Sequence, residues 1–447
     1  MSAHGFRGPR RSPRDHSRMS RVSGTDMAAH HGTLIIGASQ AGVQLACSLR
    51  DMDYDEPVTL VGADRRLPYQ RPPLSKALLA GTVEPESLEL RSADFFAARK
   101  IDVRPGERVV AVDPATRVAV TGSGAELPYG RLALTIGARM RELSIPGSRL
   151  RGICGLRDVD DALALRERLG GAERLVVIGG GFIGLEVAAT ARRRGMDVTV
   201  VTRDDRLMGR AVGEATSEFF RGAHTRRGID LRFGTTPIEF LDDGNGRVQA
   251  VVLSDETVLR ADVVVVGIGV TPDVELAAAL GLQVDNGVVV DEFGVASDRS
   301  TVAAGDCACY PCPVSNGTGH MRFESVNTAI EQAKSAASSI VGSPRPYRAI
   351  PWFWSDQFDL KLQVAGLMDG YDHTVVRGDP ASEQFSALYY RRGRLIAGEC
   401  VNSARDFMAV KSALAAGRSA PPELVTDIAV SLKSLFAGAA PTPVAAR

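Results

Sequence analysis

The chain carries no excess of charge of either sign: 53 lysines and arginines stand against 53 aspartates and glutamates in 447 residues. That balance argues against a nucleic-acid or membrane-surface binder, although a local charged patch is still compatible with it. No apolar run approaches the roughly eighteen residues of a membrane span. Cysteine is scarce, six residues scattered over the chain, which does not make a secreted disulfide framework and points to the reducing cytoplasm. Histidine is scarcer than it looks. Of seven, four (His4, His16, His30 and His31) lie near the N-terminus, leaving His224, His320 and His373, none with a visible partner in the sequence. The length exceeds one ordinary core, so two or three domains are expected in a globular protein.

Residues 1–31 read as a disordered basic leader. Six arginines (Arg7, Arg10, Arg11, Arg14, Arg18, Arg21) face only Asp15 and Asp26, with almost nothing apolar to bury. The segment lacks the apolar centre of a secretory signal, and Met19 and Met27 are alternative starts. Residues 438–447 read as a frayed tail.

The strongest positive signal is residues 175–206, LVVIGGGFIGLEVAATARRRGMDVTVVTRDDR. An apolar strand runs into Gly179, Gly180, Gly181 and Gly184, an Ala-rich helix follows, and a second β-branched strand closes the βαβ unit. Gly179 permits the sharp turn, Gly181 lets backbone approach a pyrophosphate, and Gly184 lets helix pack on strand. The helix N-terminus then offers free N–H groups to the phosphates. Thr33 begins a second copy, TLIIGASQAGVQLACSLR, with Gly37, Ser39 and Gly42 at the same three positions. Its second strand, 57–61, leads to Asp64, an acid suited to ribose hydroxyls. One such fold suggests a dehydrogenase; two suggest an enzyme that holds a flavin and a nicotinamide and passes hydride between them. After the first copy, PYQRPPLSK (68–76) forms a proline-stiffened loop. Arg71 suits bidentate phosphate contact there, and Lys76 suits a point charge beside a flavin. Glu186, two residues after Gly184, is a candidate to bond the nicotinamide carboxamide.

GASQAG, YQRPPLSK, the Thr135-Ile136-Gly137-Ala138 turn, GGGFIGLE, Ala304-Gly305-Asp306 and PWFWSDQ (351–357) occur in this order. Over residues 33–435 the chain resembles the FAD-dependent ferredoxin reductases of bacterial monooxygenases and dioxygenases, the putidaredoxin-reductase-like group. The resemblance implies an α/β fold of glutathione-reductase type, with two Rossmann-like domains and a smaller C-terminal α/β domain. The expected division is 32–148 and 272–343 for FAD, 149–271 for NAD(P), and 344–437 for the C-terminal domain. Short strands are expected at 109–120, 131–136 and 288–290, and a buried strand at 261–269 ending in a turn at Gly269. The family's flavin contacts fall on Thr135 and Gly137, on Asp306 for the ribityl chain, and on Glu324, Ser325 and Val326. These last three open a helix aimed at the pyrimidine ring. Asn327 departs from the Gln or His of many relatives. Trp354 inherits the place near the exposed flavin edge.

The resemblance implies FAD and a nicotinamide, with an acidic [2Fe–2S] ferredoxin as acceptor and the enzyme a monomer or homodimer. Lys76, Glu186 and Trp354 are the expected catalytic positions. Thr202 stands where many relatives have Glu, and Arg203 follows, with Arg206 and Arg210 nearby. Loss of the acid and gain of a cation favour NADPH over NADH, with Asp204 and Asp205 as counter-evidence. No metal is expected. Cys307, Cys309 and Cys312 fall short of a four-ligand site, which Cys154 or Cys400 would complete only by tertiary accident. A disulfide or peroxide reductase would need a redox cysteine, but the first helix holds only Cys47 and the loop reads Leu74-Ser75-Lys76. A direct oxygen-reducing oxidase and a redox-sensing relative of apoptosis-inducing factor are the alternatives.

Overall fold

The computed structural model describes residues 1, 31–312 and 319–439. The leader, save Met1 and His31, lies outside the described residues, as does the tail beyond 439. The tail begins later than expected, because a terminal helix, Leu432–Gly438, packs Leu432 and Phe436 into the core.

Each βαβ motif nucleates a five-stranded parallel sheet. The first has the order Thr301–Ala303, Arg131–Leu134, Thr33–Ile36, Val58–Gly62, Ile101–Pro105. The second runs Ile229–Arg232, Asp197–Val201, Arg174–Ile178, Val263–Val266, Ile153–Cys154. In both, the strand before the glycine turn is central, and all its residues except Arg174 are buried as a parallel sheet covered on both faces requires. Helices α1 (Gln40–Asp51) and α2 (Phe182–Arg193) follow the turns. Each unit also carries a three-stranded antiparallel meander: Val109–Asp113, Val118–Thr121 and Glu126–Pro128 in one, Pro237–Asp242, Val248–Leu253 and Val258–Arg260 in the other. The chain crosses between the units through one antiparallel pair, Ala138–Met140 with Val270–Pro272. Helix α3 (Glu214–Arg226) belongs to the second unit, and α4 (Val326–Ile340) packs along α1 in the first.

The C-terminal unit is a five-stranded antiparallel sheet in the order Trp352–Gln357, Leu360–Gly366, Arg394–Val401, Gln384–Arg391, His373–Asp379. One continuous apolar cluster joins all three units, taking Leu74, Leu78 and Leu79 from the first, Val177 and Leu185 from the second, and Leu362 and Phe385 from the third. The site is built where that cluster turns polar.

Candidate flavin and nicotinamide site

Both glycine turns are dictated by backbone crowding. Gly37 and Gly179 adopt φ of +113° and +118°, and a Cβ there would lie 2.2 Å from the Thr135 carbonyl oxygen or 2.3 Å from that of Gly267. A Cβ on Gly42 or Gly184 would strike the carbonyl oxygen of Gly37 or Gly179 at 2.1 or 2.5 Å. The middle position differs. A Cβ on Gly181 would meet nothing within 4 Å, so open space fronts the N-terminus of α2. Ser39 fills the matching place before α1, and its hydroxyl accepts from Arg71 Nε at 3.4 Å. The substitution is tolerated because this position faces a ligand's space, not the protein's own backbone.

A cavity of about 1370 Å³ opens at the first turn, lined by Gly37, Ser39, Asp64, Arg71, Thr135 and Arg157 among others. Its volume and cations fit a dinucleotide. Arg71 donates to the Arg157 carbonyl, and the Arg157 guanidinium, 3.7 Å from Asp306, is held below its usual pKa by burial and by Arg71. Asp306 sits in the turn after the Thr301–Ala303 strand and caps no helix; burial raises its carboxyl, opposed by Arg157. On the first turn of α4, the Asn327 Oδ1 is buried with no partner among the described residues. Two close cations and an orphaned acceptor are what a bound anionic cofactor with ring donors would satisfy.

Deeper in, the two dinucleotide units meet at one carboxylate. Glu186, 5 % exposed on α2, pairs its Oε2 with Lys76 Nζ at 2.7 Å and accepts from Ser75 Oγ at 2.5 Å. Its Oε1 accepts from Ser355 Oγ at 2.6 Å. Three donors offset the desolvation of a buried carboxylate, which an unpaired one would not survive as an ion. Ser75, where a thiol would serve a disulfide or peroxide reductase, here holds the acid instead.

A family model described as pyridine nucleotide-disulphide oxidoreductase matches residues 31–333, and one described as reductase C-terminal matches residues 352–436. The chain belongs to the pyridine nucleotide-disulphide oxidoreductase family. It is 44 % identical to the rhodocoxin reductase of Rhodococcus erythropolis over 90 % of this chain and 94 % of that protein. Among solved structures, the ferredoxin reductase for the CYP199A2 system of Rhodopseudomonas palustris matches with a TM-score of 0.88 and 42 % identity, covering 91 % of this chain and all of that one. The covalent putidaredoxin reductase–putidaredoxin complex matches with a TM-score of 0.87 and 39 % identity, over 91 % of this chain and 98 % of that one. The resemblance read from the motifs therefore holds, and with it the expected fold class and an FAD- and NAD(P)H-dependent oxidoreductase.

For a pyridine nucleotide-disulphide oxidoreductase, the predicted residues fall into two groups. Gly37, Ser39, Asp64, Arg71, Thr135, Gly137 and Asp306 gather around the first turn, although some polar atoms are already engaged. Tyr69 donates to Asp64 Oδ2 at 2.6 Å, and Thr135 Oγ1 donates to the Gly37 and Ile36 carbonyls at 2.8 and 3.1 Å. Ser325 is the N-cap of α4, accepting from the Thr328 N–H at 3.1 Å, so Val326 begins the helix and Glu324 lies outside it, paired with Arg322 at 2.5 Å.

Around the second turn, Thr202 is buried, its Oγ1 accepting from the Asp204 N–H at 3.3 Å. Arg203 is 80 % exposed, with Asp204 at 3.7 Å. Arg206 folds back onto the Val212 and Gly209 carbonyls at 3.0 and 2.6 Å, which removes it from the cations open to a ligand. Gly269 adopts φ of +100° in its turn, close to Arg210. Trp354 is half-buried, 5.7 Å from Trp352, while Lys411 Nζ lies over the Trp352 ring at 4.4 Å.

Several residues escaped the sequence reading. Arg157 carried no motif of its own. Ser75, Ser355 and Gln357 were legible only as letters of motifs. His224, without a partner in sequence, hydrogen-bonds Gln357 through Nε2 at 2.8 Å. Cys47, Cys154, Cys307, Cys309 and Cys400 are free thiols; Cys307 is buried against the Leu134 and Ala304 carbonyls, its thiol pushed up to about 11 by burial. Among the described residues no group of three or more His, Cys, Asp or Glu is arranged to hold a metal, and no helix is long and apolar enough to cross a membrane.

Proposed function

We propose that this chain takes hydride from NAD(P)H onto FAD and passes electrons singly to an acidic [2Fe–2S] ferredoxin that feeds a monooxygenase or dioxygenase. The observation that carries the reading is the pair of half-buried Lys76 with buried Glu186, which joins the flavin-side loop to the first turns of the nicotinamide-side helix. The ferredoxin partner is supported by the match, along nearly the whole chain, to a reductase held in complex with putidaredoxin. FAD, when bound, supplies the chemistry that converts a two-electron donor into one-electron steps. The protein contributes position. Arg71, Arg157 and the α1 N-terminus bind the flavin pyrophosphate, and Asp306 takes the ribityl hydroxyls. Gly179, Gly181 and Gly184 admit the nicotinamide pyrophosphate, and Glu186, held by Lys76, orients the carboxamide. Catalysis is then alignment of two rings in a water-poor junction. Trp354 marks the face from which electrons leave.

NADPH is the favoured donor, because Thr202 removes an acid and exposed Arg203 supplies a cation at the end of the Asp197–Val201 strand. Residues 149–271 form the nicotinamide domain and 344–437 the acceptor-side domain. Cytoplasmic residence is supported by the free thiols of Cys47, Cys154, Cys307, Cys309 and Cys400.

Anaerobic stopped-flow tests this. NADPH should bleach the flavin, and an oxidised [2Fe–2S] ferredoxin should reoxidise it far faster than oxygen does. Rapid reoxidation by oxygen with none by ferredoxins would replace the reading with an oxidase. Bleaching by NADH alone would overturn the NADPH preference.

A further inference from the structure

The strand Trp352–Gln357 has two working faces. Its period of two places Trp352 and Trp354 on one side, and Phe353, Ser355 and Gln357 on the other, against the nicotinamide domain. Phe353 meets Phe182, the first residue of α2, edge-on at 4.9 Å. Ser355, Gln357 and His224 are each fully buried, beside the apolar Met208, Phe220 and Phe358 and with the Arg227 cation near His224.

We propose that Ser355, Gln357 and His224 form a one-directional chain of hydrogen-bond donors that positions the Glu186 carboxylate, so that the C-terminal domain sets nicotinamide binding. The inference rests on the proposed function above. The direction follows from the donor inventory. Burial lowers the His224 pKa to about 4, so the ring is neutral and carries one N–H. Nδ1 has no partner among the described residues, whereas Nε2 lies 2.8 Å from Gln357 Oε1, so the hydrogen resides on Nε2. That orients the amide. Gln357 Nε2 then donates to Ser355 Oγ at 3.1 Å and to Met208 Sδ at 3.5 Å. Ser355, having accepted, turns its own hydrogen to Glu186 Oε1 at 2.6 Å. Lys76 and Ser75 hold Oε2, leaving the carboxylate no free rotation. The three polar side chains lead, one to the next, to a single acid. These three are positioning residues, acting through Glu186.

The test has two parts. Ring ¹⁵N shifts of the intact flavoprotein, with His224 assigned by comparison with His224→Gln, should report a neutral Nε2–H tautomer at pH 6. An Nδ1–H tautomer or a charged ring would overturn the chain's direction. In Ser355→Ala, equilibrium binding of NADP⁺ or NAD⁺ should weaken and NADPH-driven flavin reduction should slow, each about tenfold. Reoxidation of the dithionite-reduced enzyme by ferredoxin should stay unchanged, and Ser355→Thr should restore both losses. Unaltered nucleotide binding and reduction in Ser355→Ala would overturn the proposal. So would a parallel loss of ferredoxin reoxidation, which would mark a purely structural role. Failure of either nicotinamide to reduce the unmodified enzyme would instead sink the proposed function, with the ring tautomer still deciding the chain's direction.

Discussion

The two dinucleotide-binding units are built to one plan and differ where a ligand, not the protein, does the selecting. Strand order, central strand, meander and outer glycines coincide. The fifth strand of each sheet is borrowed across the chain: Thr301–Ala303 arrives after the other unit is finished, and Ile153–Cys154 arrives before its own glycine turn. The differences sit at Ser39 against Gly181, and at Asp64 against Thr202 and Arg203. The outer glycines answer to backbone contacts at 2.1–2.5 Å and cannot vary; the middle position faces open space and can.

The largest test of that comparison is a matched pair of valines. Gly37→Val should give protein without bound flavin, and Gly179→Val yellow protein whose flavin NADPH reduces at least about 100-fold more slowly, since each side chain meets a backbone carbonyl. Absorbance of the purified proteins and stopped-flow reduction distinguish the outcomes. If both variants lose flavin, the units do not bind their cofactors separately.

His224 gives the nicotinamide-side unit a pH dependence. Its folded pKa of about 4 lies below the ordinary 6.5, so the unfolded chain takes up the proton first as pH falls. The stability it contributes is complete above pH 6.5 and lost progressively down to about pH 4, amounting to about 3 kcal/mol. Denaturant titrations across that range should show the loss, and His224→Gln should flatten it.

Exchanging the ribose-end residues should shift preference more gently. Thr202→Glu with Arg203→Ala should lower NADPH kcat/KM relative to NADH by about 10- to 100-fold with flavin content unchanged. An unchanged ratio would move selectivity elsewhere in the loop. Smallest is the middle position. Ser39→Gly should cost the flavin side less than about 1 kcal/mol of binding, because the 3.4 Å contact with Arg71 is long. Fluorimetric titration of the apoprotein with FAD measures it.

Much of the plan was readable before any coordinates. Strand, turn and helix follow one another within about thirty residues, and Gly42 and Gly184 answer to carbonyls of their own turns, whereas Gly37 and Gly179 also face the distant Thr135 and Gly267 carbonyls. Distant pairings were not readable. Lys76 and Glu186 each stood out, but their union, and the arrival of Ser355 at the other carboxylate oxygen, depends on three separately folded units closing on one apolar cluster. Arg206 misled for the reverse reason. It stands among cations in the sequence, yet its side chain satisfies carbonyls of its own loop.

By itself, then, the amino-acid order determined two glycine turns, the strands that carry them and the family to which they belong, because the strand–turn–helix pattern and its positive-φ glycines are written within about thirty residues. Only the tertiary structure decided which carboxylate meets which cation, which arginine stays exposed and which face of the Trp352–Gln357 strand looks inward. Those outcomes depend on burial, and burial is a property of the assembled chain, where a desolvated charge must find its donors from whichever segments packing brings near.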